Sequence, residues 1–138
     1  MARLDKIHDK VKAALIKDGW TITHDPFTIE FKKLILFADL GAEKMFSAER
    51  DGRKIVVEVK SFSQISKVQD LKLALGQYEL YNVYLSEIAP ERKLYIAVGK
   101  DIYEKFLLRE AINFAIERLK IPLIAVNLET EEIVQWIR

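Results

Sequence analysis

The chain has 138 residues, half of them apolar and 31% charged, with a net charge of +1. That balance fits one folded domain over residues 1–138 with one hydrophobic core; it excludes a disordered chain and argues against a uniformly basic nucleic-acid coat protein. There is no cysteine, so disulfides, thiolate nucleophiles and thiolate zinc sites are excluded as well.

Leu4, Ile7, Val11, Ala14 and Leu15 recur at helical spacing and Gly19 follows them, which predicts an amphipathic helix over residues 4–17. Trp20 and Ile22 alternate with Thr21 and Thr23 until Asp25-Pro26 breaks the run. Phe27, Ile29 and Phe31 then alternate again, giving two short strands or one broken one. The clearest hairpin comes next. Residues 45–50 and 54–60 flank Asp51-Gly52, a favoured two-residue turn. In the second arm Ile55, Val57 and Val59 point to one face, and Val56, Glu58 and Lys60 point to the other. So apolar a strand is expected inside a sheet rather than at its edge.

Ser66-Lys67-Val68-Gln69 reads as a capping box that opens a long helix. Val68, Leu71, Leu75 and Tyr78 form its stripe, and it runs to about Glu87. Residues 94–98 form a strand, 101–119 are helical with a break near Arg109, and 122–127 form another strand. Residues 133–137 close the chain as a short helix or strand. Strands before the capping box pair antiparallel through short turns; later ones alternate with helices and run parallel or mixed. The predicted class is α/β, a mixed sheet with helices on both faces. The longest apolar runs, 34–40 and 121–126, are too short to cross a bilayer, and no apolar stretch follows the charged N-terminus as in a secretion signal. A cytoplasmic location with no membrane partner is expected.

Glu58 and Lys60 leave one face of an apolar strand two residues apart, and burying either charge alone is costly. Such a sequence either pairs the two or uses them. The carboxylate of Glu58 and the carbonyl of Val59 are hard oxygen donors of the type Mg2+ takes, and Lys60 can orient water and stabilise a phosphate. The bland alternative is a cross-strand ion pair on a half-exposed sheet face. With a two-residue turn at Asp51-Gly52, Glu58 faces Met45 and Lys60 faces Glu43. Glu43 is therefore a candidate metal ligand beside Glu58, or else a salt-bridge partner of Lys60. Asp39 lies further out, where Gly41 can bend the chain and bring it back. Gln77 and Tyr81 share a helix face four residues apart. Lys67 with Lys72, Lys32-Lys33 and the basic residues around Asp51-Gly52 are local charges that DNA could use, or ordinary solvated side chains. His8 and His24 form no ligand-spaced pair and read as packing and loop residues.

Four segments carry a resemblance. They are Gly19-Trp20-Thr21-Ile22-Thr23-His24-Asp25-Pro26, Asp39-Leu40-Gly41-Ala42-Glu43-Lys44, Ile55-Val56-Val57-Glu58-Val59-Lys60-Ser61-Phe62 and Ala74-Leu75-Gly76-Gln77-Tyr78. Together they resemble the XisH family, excision controlling factors of the fdxN DNA element, nearly end to end and including Trp136. The resemblance implies a PD-(D/E)XK restriction-endonuclease-like core of order αβββαβ, followed here by a C-terminal α and β. Glu58 and Lys60 match the (D/E)xK element, Asp39 is the match for the first acid, and Gln77 and Tyr81 match a Q-x-x-x-Y helix. Catalytic residues are thus expected to be Glu58, Lys60 and Asp39. The expected Mg2+ ligands are Asp39, Glu43 and Glu58, and the expected substrate contacts are Gln77, Tyr81 and Lys72. The implied partners are DNA, a small XisI-type protein and a site-specific recombinase; self-association is left open. Ala38 stands where the superfamily has proline, and 39 to 58 is a long interval for a simple hairpin, so the first acid stays open between Asp39 and Glu43. Three functions are weighed: a Mg2+-dependent nuclease in element excision, a non-catalytic accessory protein on the same fold, and a defence-like nuclease module unrelated to excision.

Overall fold

The computed structural model describes residues 2–36 and 45–138. Helix α1 (Ala2–Lys17) buries Val11, Ala14 and Leu15 completely, the positions its periodicity singles out. It stops where Gly19 takes φ +97, a conformation that favours glycine. Strand β1 (Thr21–His24) follows. Strands β2 (Ile29–Phe31) and β3 (Leu34–Leu36) form a small antiparallel hairpin of their own. Strands β4 (Met45–Arg50) and β5 (Arg53–Val59) form the central hairpin. Asp51 at φ 50 and Gly52 at φ 80 give its turn the left-handed pair that matches strand twist. Helix α2 (Lys67–Ile88) starts at Ser66, whose hydroxyl accepts from the Gln69 N–H at 3.2 Å. Strand β6 (Arg92–Gly99) leads into a short helix α3 (Lys100–Ile102), a π-helical turn (Tyr103–Leu107) and helix α4 (Glu110–Leu119). Strands β7 (Leu123–Asn127) and β8 (Glu132–Ile137) complete the chain.

The main sheet has the order β1-β4-β5-β6-β7-β8. The pairs β1–β4, β4–β5 and β7–β8 are antiparallel; β5–β6 and β6–β7 are parallel. The parallel ladders arise because α2, and later the α3–α4 segment, carry the chain back across one face. The α/β class, the mixed sheet and the interior position of β5 are as the sequence predicts. On one face α1 packs on Phe46, Val57, Val59 and Tyr95, with Trp20 stacked 5.6 Å from Trp136. On the other, α2 and the residues around Phe106 and Ile116 pack on Val56, Leu94 and Ile96. Each fully buried Val or Leu contributes about 1.5–3 kcal/mol, so both faces of β5 are held by apolar burial.

One expectation changes and three are made definite. Residues 27–31 do not continue the main sheet: Phe27 N–H still bonds Met45 O at 2.7 Å, and the chain then pairs with β3, a strand the sequence reading did not assign. The buried stripe of α2 is Leu71, Ala74, Tyr78, Tyr81 and Leu85, while Val68 is exposed, because the first turn projects beyond the sheet. The break near Arg109 is present: a π-helical turn ends at Leu107 and a fresh helix starts at Glu110. The final element is a strand, fixed by its pairing to β7. Among the described residues, no helix is long and apolar enough to cross a membrane.

Candidate functional site

The turn at Asp51-Gly52 sets the register of the hairpin, and the register sets the site. Counting back from Arg50↔Arg53, Glu58 falls opposite Met45, as expected, and on its other side opposite Ile96 of β6. Lys60 lies one residue past β5, yet its N–H bonds Ala97 O at 2.9 Å, so the strand direction persists through it. Both side chains therefore leave the α2 face of an inner strand. Glu58 is 3% exposed and Lys60 8% exposed. Lys60 Nζ lies 3.2 Å from Glu58 Oε2 and also donates to Gln77 Oε1 on α2. A lone buried charge costs several kcal/mol, so the pair is the condition for either group to sit there. Gln77 adds a second acceptor to the ammonium and ties β5 to α2.

Tyr78, next to Gln77, is buried in the same layer. Burial, reinforced by the charges of Glu79, Tyr95 and Glu58, pushes its hydroxyl up to about 12, so it stays protonated. Tyr81 lies in the apolar core, 4% exposed. Gln77 thus reaches the ion pair, and Tyr81 is buried four residues on along the same helix. Lys72 is exposed on α2, five residues before Gln77 and so about 140° around the helix. The structure does not bring it to the Glu58–Lys60 pair. Asp39 and Glu43 lie outside the described residues.

Two further arrangements carry no sequence signal: the contacts of the two histidines, and a cleft. His24 sits at the end of β1, and its Nδ1 is 2.8 Å from Ser47 Oγ, which Thr23 Oγ1 also approaches at 2.6 Å. Ser47 is wholly buried, so this is a strand-to-strand link and not an accessible nucleophile. His8 binds Asp25 at 3.1 Å and sets its ring edge-on to Phe46. Burial works to raise the Asp25 pKa, but hydrogen bonds and charge from Lys12 and His8 outweigh it and hold the carboxyl below its ordinary 3.8. The second arrangement is a cleft of about 160 Å³ at the carboxyl ends of β5, β6 and β7. Lys60 and Ser61 form one wall, Lys100 and Asp101 the next, and Asn127 and Glu129 the third. Ligands of open α/β sheets bind in this place, outside the carboxyl ends of parallel strands.

The XisH protein family model matches residues 1–134. The chain belongs to the XisH family. Two crystal structures are similar to it. One, an fdxN element excision controlling factor protein from Anabaena variabilis, is 39% identical with a TM-score of 0.89, over 97% of this chain and 99% of that one. The other, an XisH family protein from Nostoc punctiforme PCC 73102, is 39% identical with a TM-score of 0.88, over 96% and 99%. No curated protein matches the chain.

In this XisH chain the pair offers one carboxylate, a bound ammonium and the Val59 carbonyl. Among the described residues no three His, Asp or Glu side chains converge. The described part of the site therefore presents one carboxylate and does not by itself make up a metal site.

Proposed function

We propose that this chain is an excision controlling factor, as its Anabaena variabilis relative is described, and that it acts on DNA through a PD-(D/E)XK-type centre. The observation that carries this reading is the buried Glu58–Lys60 pair on one face of inner strand β5, 3.2 Å apart, with Gln77 closing on the ammonium. The element order supports the superfamily assignment: α1, then antiparallel β1, β4 and β5, then α2 and β6.

Glu58 and one of Asp39 or Glu43 would hold Mg2+, which supplies Lewis acidity and a more acidic bound water. Lys60 balances the charge of the buried Glu58 carboxylate and offers donors to a phosphate oxygen. Gln77 positions Lys60, and Tyr78 stays a neutral donor beside them. The protein works beside a small XisI-type partner and a site-specific recombinase in excising a DNA element.

Near-complete burial of Glu58 and Lys60 favours one other reading, in which the pair is structural and the chain is a non-catalytic accessory that binds a partner or DNA. The test is Mg2+-dependent cleavage of a labelled duplex, with and without the XisI-type protein. Cleavage lost in Glu58→Gln and Lys60→Met, both folded, supports the reaction centre. Cleavage that survives in both variants removes it, and no cleavage by any form of the complex selects the accessory role.

A further inference from the structure

The cleft beside Lys60 does not end at Asp101. A second, larger cavity of about 380 Å³ shares Asp101 and Ile102 as a wall and continues past Lys105 and Arg109 to Lys67. The two adjoin at that wall and together make one groove that leads from the carboxyl ends of the parallel strands to the start of α2. Its charge is uneven. At the Lys60 end Lys60 and Lys100 stand with the carboxylates Asp101 and Glu129; the far end carries Lys67, Lys105 and Arg109, with Asp101 on the shared wall. Net charge over the whole chain is only +1, so three cations around one cavity are a local concentration.

Other partners do not consume these cations. Arg109 Nε donates to Lys105 O at 3.1 Å, and its guanidinium lies over the Phe106 ring at 5.6 Å. Lys67 Nζ reaches Gln64 O only at 3.4 Å. Among the described residues, no ion pair to a carboxylate engages Lys67, Lys105 or Arg109. The groove walls are also built in unusual backbone. Lys105 stands on the π-helical turn, a form often found at functional sites. Phe62, at φ +53 and 5% exposed, turns the chain after Lys60 and packs its ring 6.1 Å from Phe106. Those rings fix the floor on which Lys105 and Arg109 stand.

We propose that this groove is the track for a DNA backbone. Lys67, Lys105 and Arg109 hold phosphates that flank the one presented to Glu58 and Lys60. The inference deepens the proposed function and rests on it for the identity of the polyanion. The far end carries three cations and shares one carboxylate with the Lys60 end, so its excess positive charge holds the strand beside the reaction centre.

The test is binding of a short labelled duplex to the full chain across a salt series. The variants are Lys105→Ala/Arg109→Ala in the groove and Arg53→Ala at the opposite end of the sheet. Each lost phosphate contact lowers the slope of log K against log salt by about 0.9. The groove double variant is expected to lose about 1.8 from that slope, and Arg53→Ala to lose nothing. Circular dichroism checks that each variant is folded. An unchanged slope in the groove variant, an equal loss in Arg53→Ala, equal competition by an acidic polypeptide, or no duplex binding by the parent overturns the track. Binding through the groove with no cleavage by any form keeps the track and removes only the reaction centre.

Discussion

Replacing Lys60 by methionine tests the physics of the site without any assumption about its chemistry. Methionine keeps most of the side-chain volume and removes the ammonium that lies 3.2 Å from Glu58 Oε2 and donates to Gln77. Glu58 is then left 3% exposed without that countercharge. Removing one partner of a buried ion pair costs about 3–5 kcal/mol, a large share of the roughly 5–15 kcal/mol that stabilises a domain. The loss corresponds to a fall in melting temperature on the order of 10 °C. Urea unfolding at neutral pH measures it, and the double variant Glu58→Gln/Lys60→Met completes the cycle. The double variant is expected to be more stable than the sum of the single changes by about 1–3 kcal/mol. A Lys60→Met protein within about 0.5 kcal/mol of the parent, or strict additivity across the cycle, would refute the coupling.

Two glycines are expected to respond in opposite directions. Gly52 has φ +80 with open space around it, so Gly52→Ala costs about 1 kcal/mol through backbone alone; Gly76, also in open space but inside α2, gains about 0.5–1 kcal/mol as alanine. Urea midpoints decide both, and matching signs would contradict the assigned conformations. Asp25 has its pKa lowered in the fold, so its contribution is present above 3.8 and is lost as pH falls through the folded value. Asp25→Asn is therefore expected to lose about 1 kcal/mol at neutral pH and little well below 3.8, and an equal loss at both pH values argues against the Lys12–His8 clamp. Tyr78, raised from 10.0 to about 12, favours the protonated form in the fold; its contribution is intact below 10.0 and is lost as pH rises toward about 12. Ultraviolet titration is expected to show a late step that disappears in Tyr78→Phe.

The central hairpin was readable because its parts agree. The Asp51-Gly52 turn fixes a two-residue loop, the loop fixes the register, and alternation along 55–59 assigns the faces, so Glu58 opposite Met45 follows by counting. Ser66 and Gln69 likewise announce the start of α2. Alternation over residues 27–31 shows that a strand exists and leaves open which sheet it joins; the structure pairs it with β3 and sets Phe31 5.2 Å from Tyr84 on α2. The rotation of the α2 stripe was hidden because this helix is apolar on its outer side too: Leu73, Leu80 and Val83 are all exposed. Gln77 was found by its spacing from Tyr81: four residues place them about 40° apart on one side of α2, with Gln77 half-buried and its carbonyl accepting from the Lys60 ammonium, and Tyr81 buried. The groove had no local signature, since its walls come from four separate stretches of chain that meet only at the ends of β5, β6 and β7.

The most direct measurement is Mn2+ binding by electron paramagnetic resonance, with Mn2+ standing in for Mg2+, on the parent chain, Glu58→Gln, Asp39→Asn and Glu43→Gln. Parent binding at one site that is lost in Glu58→Gln and in at least one of the other two is the expected result. Equal binding by the parent and Glu58→Gln, or none by the parent with DNA and the XisI-type protein present, would contradict a metal centre on β5.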